Sequence, residues 1–246
     1  MFERGIAVVA LTKWGAATSM RIARALEKAQ IRYDIYAPEP LRSDGITSFN
    51  GDLRELFARL FNVSDAIIAV MAVGIVVRSI APFVANKATD PAVVVVDDLG
   101  KYTISLLSGH IRGANRLTKL VAGEIGAIPV VTTATELLGR KPVEEIAEEH
   151  DLKIVNIESL TPVNSAIVNE RKILFVTIGR VISPETDVDP PQLISSVDQL
   201  KDMMKGYDAG IVIASTIVSL EKVTKPVTLL IPRPTHQLPR TNNDSR

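Results

Sequence analysis

Four short apolar runs, at residues 6–11, 66–71, 92–96 and 128–131, alternate with amphipathic stretches, and this rhythm constrains the fold more than any other feature of the chain. Such runs are too short for core helices, and their Val, Ile and Ala content suits strands buried on both faces. Behind the first, Met20, Ala23, Leu26 and Ala29 recur at helical spacing, with Thr18 or Ser19 as the cap. A second strand is expected over 32–36, with further helices over 52–61 and 110–125. Strand–helix alternation of this kind predicts a mostly parallel sheet with helices on both faces. Asp98-Leu99-Gly100 is a turn signal, so 92–96 and 102–106 are expected to pair as a hairpin at a sheet edge.

The same rhythm restarts after Thr132-Thr133-Ala134-Thr135, with a helix over 142–149 and a strand over 153–155. Strands over 173–178 and 210–214 then flank a helix over 192–204, and a strand over 227–231 closes the round. The expected fold class is α/β, two Rossmann-like lobes with mostly parallel sheets. The N-terminal domain is set at 1–135, the middle domain at 136–232 and a disordered tail at 233–246, where little apolar surface offsets the entropy of ordering. The three prolines of 183–191 mark a surface loop.

Composition narrows the function. Hydrophobic residues make up 46% and charged residues 23% of the 246, an ordinary globular balance. With 28 basic and 28 acidic residues the net charge is zero, which excludes a nucleic-acid binder relying on excess cations. Without cysteine there is no disulfide framework, thiolate nucleophile or sulfur-ligated zinc. The apolar stretch 66–77 falls short of the ~20 residues a spanning helix needs. The first residues run into a strand rather than a signal peptide. A cytoplasmic protein with no membrane partner is expected.

The most informative segment is Ser105-Leu106-Leu107-Ser108-Gly109-His110-Ile111-Arg112-Gly113-Ala114-Asn115. It leaves a strand and opens a helix, a junction where glycines let the backbone approach a ligand and free N–H groups face an anion. Ser108, Arg112 and Asn115 add side-chain donors; the plain alternative is a tight turn with a capping serine. His110 sits at a strand's carboxyl end, where open α/β sheets place ligands, or is satisfied by local backbone. Asp97 and Asp98 end the four-valine run; Asp98 suits a turn, and Asp97 suits either a turn or a general base. Gly74, Arg78 and Lys87 follow another strand, and the two cations either clamp carboxylates or line a solvated face. Thr12-Lys13-Trp14-Gly15 also follows a strand, and Trp14 either stacks on a flat ligand or covers the core end. In a parallel sheet, the loops at Thr12, Gly74 and Ser108 are expected to gather on one edge, lining a cleft.

Together these segments resemble the CbiG family of anaerobic cobalamin biosynthesis, the cobalt-precorrin-5A hydrolases. The resemblance rests on Met71-Ala72-Val73-Gly74-Ile75-Val76-Val77-Arg78, on Lys87, and on Asp90-Pro91-Ala92-Val93-Val94-Val95-Val96-Asp97. It continues through Ser105–Leu106–Leu107–Ser108–Gly109–His110, Gly113-Ala114-Asn115 and Thr132-Thr133-Ala134-Thr135, in order and over about a quarter of the chain. Thr12, Lys13 and Gly15 extend it upstream. Family members usually carry glycine where Arg112 stands here, and many continue into a C-terminal domain, which implies a separate polypeptide supplying that part. The resemblance implies a hydrolase that opens a lactone and releases acetaldehyde. The cobalt is carried by the substrate, with no cofactor and no protein metal site. On that reading His110 is the base and Asp97 orients it. Thr12, Lys13, Gly15, Gly74, Arg78, Lys87, Ser108, Gly109, Arg112, Gly113, Asn115, Thr132 and Thr133 are the expected substrate-binding residues, with helix N-termini, Arg78, Lys87 and Arg112 suited to the substrate carboxylates. The alternative is a non-catalytic tetrapyrrole carrier. A nucleotide-binding domain ranks last, because neither phosphate-loop signature is present.

Overall fold

Three of the four apolar runs become strands buried on both faces, as a sheet covered by helices on each side requires. The fourth, at 128–131, is instead a largely exposed strand, because it lies at the sheet edge. The computed structural model describes residues 2–87, 89–179 and 190–233, and the chain divides into two units, Met1–Leu137 and Leu138–Arg246. The first unit runs β1 (Ile6–Ala10), α1 (Lys13–Lys28), β2 (Tyr33–Pro38), β3 (Ile46–Phe49), α2 (Leu53–Val63), β4 (Ala66–Val70) and α3 (Val73–Ile80). It continues with β5 (Ala92–Val96), β6 (Tyr102–Leu107), α4 (Ala114–Ile125), β7 (Ile128–Val130) and α5 (Ala134–Leu137). Its strands form one sheet in the order β3-β2-β1-β4-β5-β6-β7. Alternate residues face opposite layers. Val8, Ile68 and Val94 pack with Ile22, Leu26, Leu117 and Val121 of α1 and α4. Val9, Ile67 and Val95 pack with Phe57, Leu60, Val76 and Ile80 of α2 and α3.

Strand direction decides where the loops go. β1 to β5 are mutually parallel. β6 returns antiparallel to β5, and β7 runs parallel to β6. The expected hairpin is therefore present, closed by the Asp98–Gly100 turn, although β7 pairs on its outer side and keeps it off the sheet edge. This corrects the expectation that the Thr12, Gly74 and Ser108 loops share one edge. Because β6 runs backwards, Ser108 leaves the sheet at the end where β1, β4 and β5 begin.

Local chemistry moved several helix boundaries. α1 starts at Lys13 rather than near Ser19, because the Thr12 hydroxyl caps it by accepting from Gly15 N. Thr18 and Ser19 lie buried inside it. α4 starts at Ala114 rather than His110, because Gly113 takes a left-handed conformation (φ 82°) and its N–H closes a turn on the His110 carbonyl.

The second unit comprises α6 (Val143–Glu149), β8 (Leu152–Ile154), α7 (Leu160–Val168), β9 (Ile173–Ile178), β10 (Gln192–Ile194), α8 (Val197–Met203), β11 (Ala209–Ala214) and β12 (Val227–Pro232). The sheet order is β10-β9-β11-β12-β8, with only β8 antiparallel to its neighbour. Residues 192–194 pair with β9 as a strand instead of opening a helix, and Ser196 caps α8 in their place. The two sheets make the fold α/β in both units. Arg233 donates its N–H to the Asp151 carbonyl; the rest of the expected tail, 234–246, lies outside the described residues, as does most of the 183–191 loop. Among the described residues no helix is long and apolar enough to cross a membrane.

Candidate active site

The residues singled out from sequence divide between two edges of the first sheet. At the carboxyl ends of β1, β4 and β5 stand Thr12, Lys13, Gly15, Gly74, Arg78 and Asp97. The chain turns from β1 outward to β2 and β3, then resumes on the other side of β1 with β4, so this edge holds the topological switch point. Thr12 Oγ1 donates to Asp98 Oδ1 at 2.7 Å. Gly15 is packed so closely that a Cβ there would lie 2.7 Å from Asp98 Oδ1 and 3.1 Å from the Val70 carbonyl. Trp14 is 65% exposed beside them. The Arg78 guanidinium folds back over Gly74, 3.4 Å from where its Cβ would be. Asp97 closes the hairpin, its carboxylate accepting from the N–H groups of Leu99, Lys101 and Tyr102. Those three bonds explain Asp97 as a turn residue.

At the opposite edge stand Ser108, Gly109, His110, Arg112, Gly113, Asn115, Thr132 and Thr133, and Lys87 lies in the segment that enters β5 from this end. Asn115, 3% exposed, is their hub. Its Oδ1 accepts from Ser105 Oγ at 2.7 Å and its Nδ2 donates to Thr133 Oγ1 at 3.0 Å. That amide is spent on holding the loop together. A Cβ on Gly109 would meet Asn115 Oδ1 at 2.7 Å, so only glycine lets the turn close. Ser108 carries φ 59°, and its Oγ is buried with no hydrogen-bond partner among the described residues. A left-handed non-glycine residue costs about 1–3 kcal/mol and collects at functional sites. The His110 ring is held by Thr135, with Nε2 and Oγ1 2.9 Å apart. Nδ1 has no protein partner among the described residues. The backbone N–H groups of Gly109, His110, Ile111 and Arg112 likewise donate to no protein acceptor there.

Arg112 is tied back, with Nη2 3.3 Å from Asp65 Oδ1, while Arg4 Nε reaches the same oxygen at 2.8 Å. Burial pushes the Asp65 carboxyl up, but hydrogen bonds from the Arg4 side chain and backbone, with the charges of Arg4 and Arg112, outweigh it. Asp65 therefore titrates below the ordinary carboxylate range.

Asp97 and His110 are not brought together. They lie at opposite ends of the β5–β6 pair, where Val96 faces Thr103 and Val93 faces Leu107. Several residues of strand at about 3.3 Å each separate them. Asp97 is not in reach to orient His110; the ring's contact is with Thr135. Thr135, Asp65 and Ser105 also contact this network, and residue-type reasoning gave them no role. The hairpin turn signal at Asp98-Leu99-Gly100 already carried the reversal that separates the edges.

The family described as "Cobalamin synthesis G N-terminal" matches residues 55–136, a span holding Asp65 and the whole second edge through Thr135. Over residues 55–136 this chain belongs to the CbiG family. A relative named "Cobalt-precorrin-5A hydrolase" from Priestia megaterium is 39% identical over 176 residues, 71% of this chain and 47% of that protein. The Salmonella typhimurium protein of the same name is 36% identical over 169 residues, 68% of this chain and 47% of that one. The chain thus spans less than half the length of these CbiG relatives. The crystal structure of a cobalamin biosynthesis protein G homolog from Sulfolobus solfataricus aligns with TM-score 0.53 at 21% identity. It covers 94% of this chain and 61% of that one, a likeness of fold.

Proposed function

We propose that this chain carries the lactone-opening chemistry of a cobalt-precorrin-5A hydrolase, with His110 at the second sheet edge as the general base. The observation that carries this reading is the state of the imidazole: Nε2 is fixed by Thr135, and Nδ1 has no protein partner among the described residues. A base must be oriented and must keep one nitrogen free for water. Water adds to the lactone carbonyl and passes a proton to Nδ1. The unengaged N–H groups from Gly109 to Arg112 are suited to stabilise the oxyanion. Collapse breaks the acyl C–O bond, and the imidazolium returns its proton to the departing ring oxygen. The freed hydroxyl gives its proton to the regenerated imidazole, and its oxygen becomes a carbonyl as the adjacent carbon–carbon bond breaks. The electron pair of that bond passes to the macrocycle, and the two-carbon fragment leaves as acetaldehyde. The cobalt travels with the substrate and the protein adds no cofactor. Arg112, Lys87 and Thr132, on this same edge, are the groups for the substrate's carboxylates. Thr12, Lys13, Gly15, Gly74 and Arg78 stand at the other edge, away from the reacting lactone.

Purified protein incubated with cobalt-precorrin-5A is expected to release acetaldehyde, with the product followed by mass. His110→Asn is expected to keep the fold and substrate binding while turnover falls roughly 100-fold or more, the size of a general-base contribution. Undiminished release from that variant would remove His110 from the mechanism. Tight binding without acetaldehyde from the wild-type chain would leave a carrier.

A further inference from the structure

We infer that Thr135 is the positioning residue of His110, holding the ring with its proton on Nε2 so that Nδ1 is the nitrogen that works; its catalytic consequence rests on the hydrolase reading above. The hydroxyl stands 2.9 Å from Nε2 on a residue only 4% exposed, so a bond there persists rather than exchanging with water. Its support is rigid. Thr133, two residues earlier, is bound by the buried Asn115, which is itself anchored to Ser105 of β6. The turn 132–135 therefore grips the β6–α4 loop at two points, one on the loop's hub and one on the imidazole.

The chemical case follows from proton bookkeeping. An imidazole that takes a proton from water needs a lone pair on one nitrogen and N–H on the other. A hydroxyl oxygen at Nε2 accepts from Nε2–H in the neutral ring and again in the imidazolium. One hydrogen bond thus survives both halves of the proton-transfer cycle. It also fixes the ring plane, the task a carboxylate performs in other histidine bases. Asp65, the acid that holds the neighbouring Arg112, is occupied by Arg4 and Arg112. A neutral hydroxyl orients the ring without adding negative charge beside a substrate rich in carboxylates.

The test separates orientation from simple packing. In the full chain labelled with 15N, the His110 ring is read by NMR well above the ordinary imidazole titration range near pH 6.5. The wild-type ring is expected to show N–H character at Nε2 and a lone pair at Nδ1. Thr135→Val, nearly the same shape without the hydroxyl, is expected to give a mixture of the two tautomers, and Thr135→Ser is expected to restore the single form. With cobalt-precorrin-5A, Thr135→Val should lower kcat about 10-fold at unchanged KM, the scale of losing an orienting partner, and Thr135→Ser should stay within about twofold. A wild-type proton on Nδ1, or an unchanged tautomer in folded Thr135→Val, overturns the inference. If Thr135→Val does not fold, the wild-type tautomer alone decides. Because the spectrum needs no substrate, a chain that releases no acetaldehyde sinks the hydrolase reading while the Thr135 bond is still judged on its own.

Discussion

At the scale of single residues, the second edge is held by polar groups with no slack. Gly109→Ala would place a methyl 2.7 Å from Asn115 Oδ1 and 3.2 Å from its amide carbon and nitrogen. Displacing that amide unseats the Ser105 and Thr133 bonds, so a loss of about 1–3 kcal/mol is expected, the scale of a buried polar group losing its partner. The check is a double-mutant cycle by urea unfolding. On an Asn115→Ala background the clash is gone, and the cost of Gly109→Ala should shrink. Equal costs on both backgrounds would place the strain elsewhere. Asp65 makes a pH prediction. Its folded pKa lies below its unfolded value of about 3.9, so below that point the unfolded chain binds more protons. Its stabilisation is complete above the unfolded value and is lost as pH falls through the folded one. Asp65→Asn should therefore be less stable than wild type near neutral pH, with the gap closing below about pH 4. A gap that persists in acid would show that Asp65 is not the linked group.

At the scale of elements, helix starts are set by side chains that local patterning undervalues. Thr12 caps α1 through Gly15 N and also donates to Asp98, so one hydroxyl joins the β1 loop to the hairpin turn. Thr12→Ala is expected to cost about 0.5–2 kcal/mol, toward the upper end because two bonds go at once, and Thr12→Ser to recover most of it. Thermal melts of both variants decide this, and a harmless Thr12→Ala would show that α1 is held by its packing alone. α4 shows the opposite device. No side chain caps it; Gly113 at φ 82° turns the chain instead, and leaves the N–H groups before it unengaged. A helix running unbroken from His110 would also have left its first N–H groups free, so the turn changes the course of the chain there rather than the number of free donors.

At the scale of the molecule, both apolar clusters of the first unit draw their residues from positions up to 127 alone. A fragment of residues 1–137 is therefore expected to fold by itself, with dispersed amide NMR signals and a cooperative melt. A collapsed spectrum would show that the sheet needs the rest of the chain. Much of this architecture is written locally. Runs such as Ala92–Val96 have no polar residue to face water, so they demand a strand covered on both sides, and period and length alone identify them. The histidine, the glycines and the threonine-rich turn are likewise visible as residue types able to do chemistry. What local pattern does not carry is which distant segments meet. The Asp98–Gly100 turn signals that β6 reverses, but only the closed sheet, with β7 parallel to β6, brings Thr135 to His110 and leaves Asp97 at the far edge. Those contacts form between segments distant in sequence, and they exist only once the sheet has closed around them.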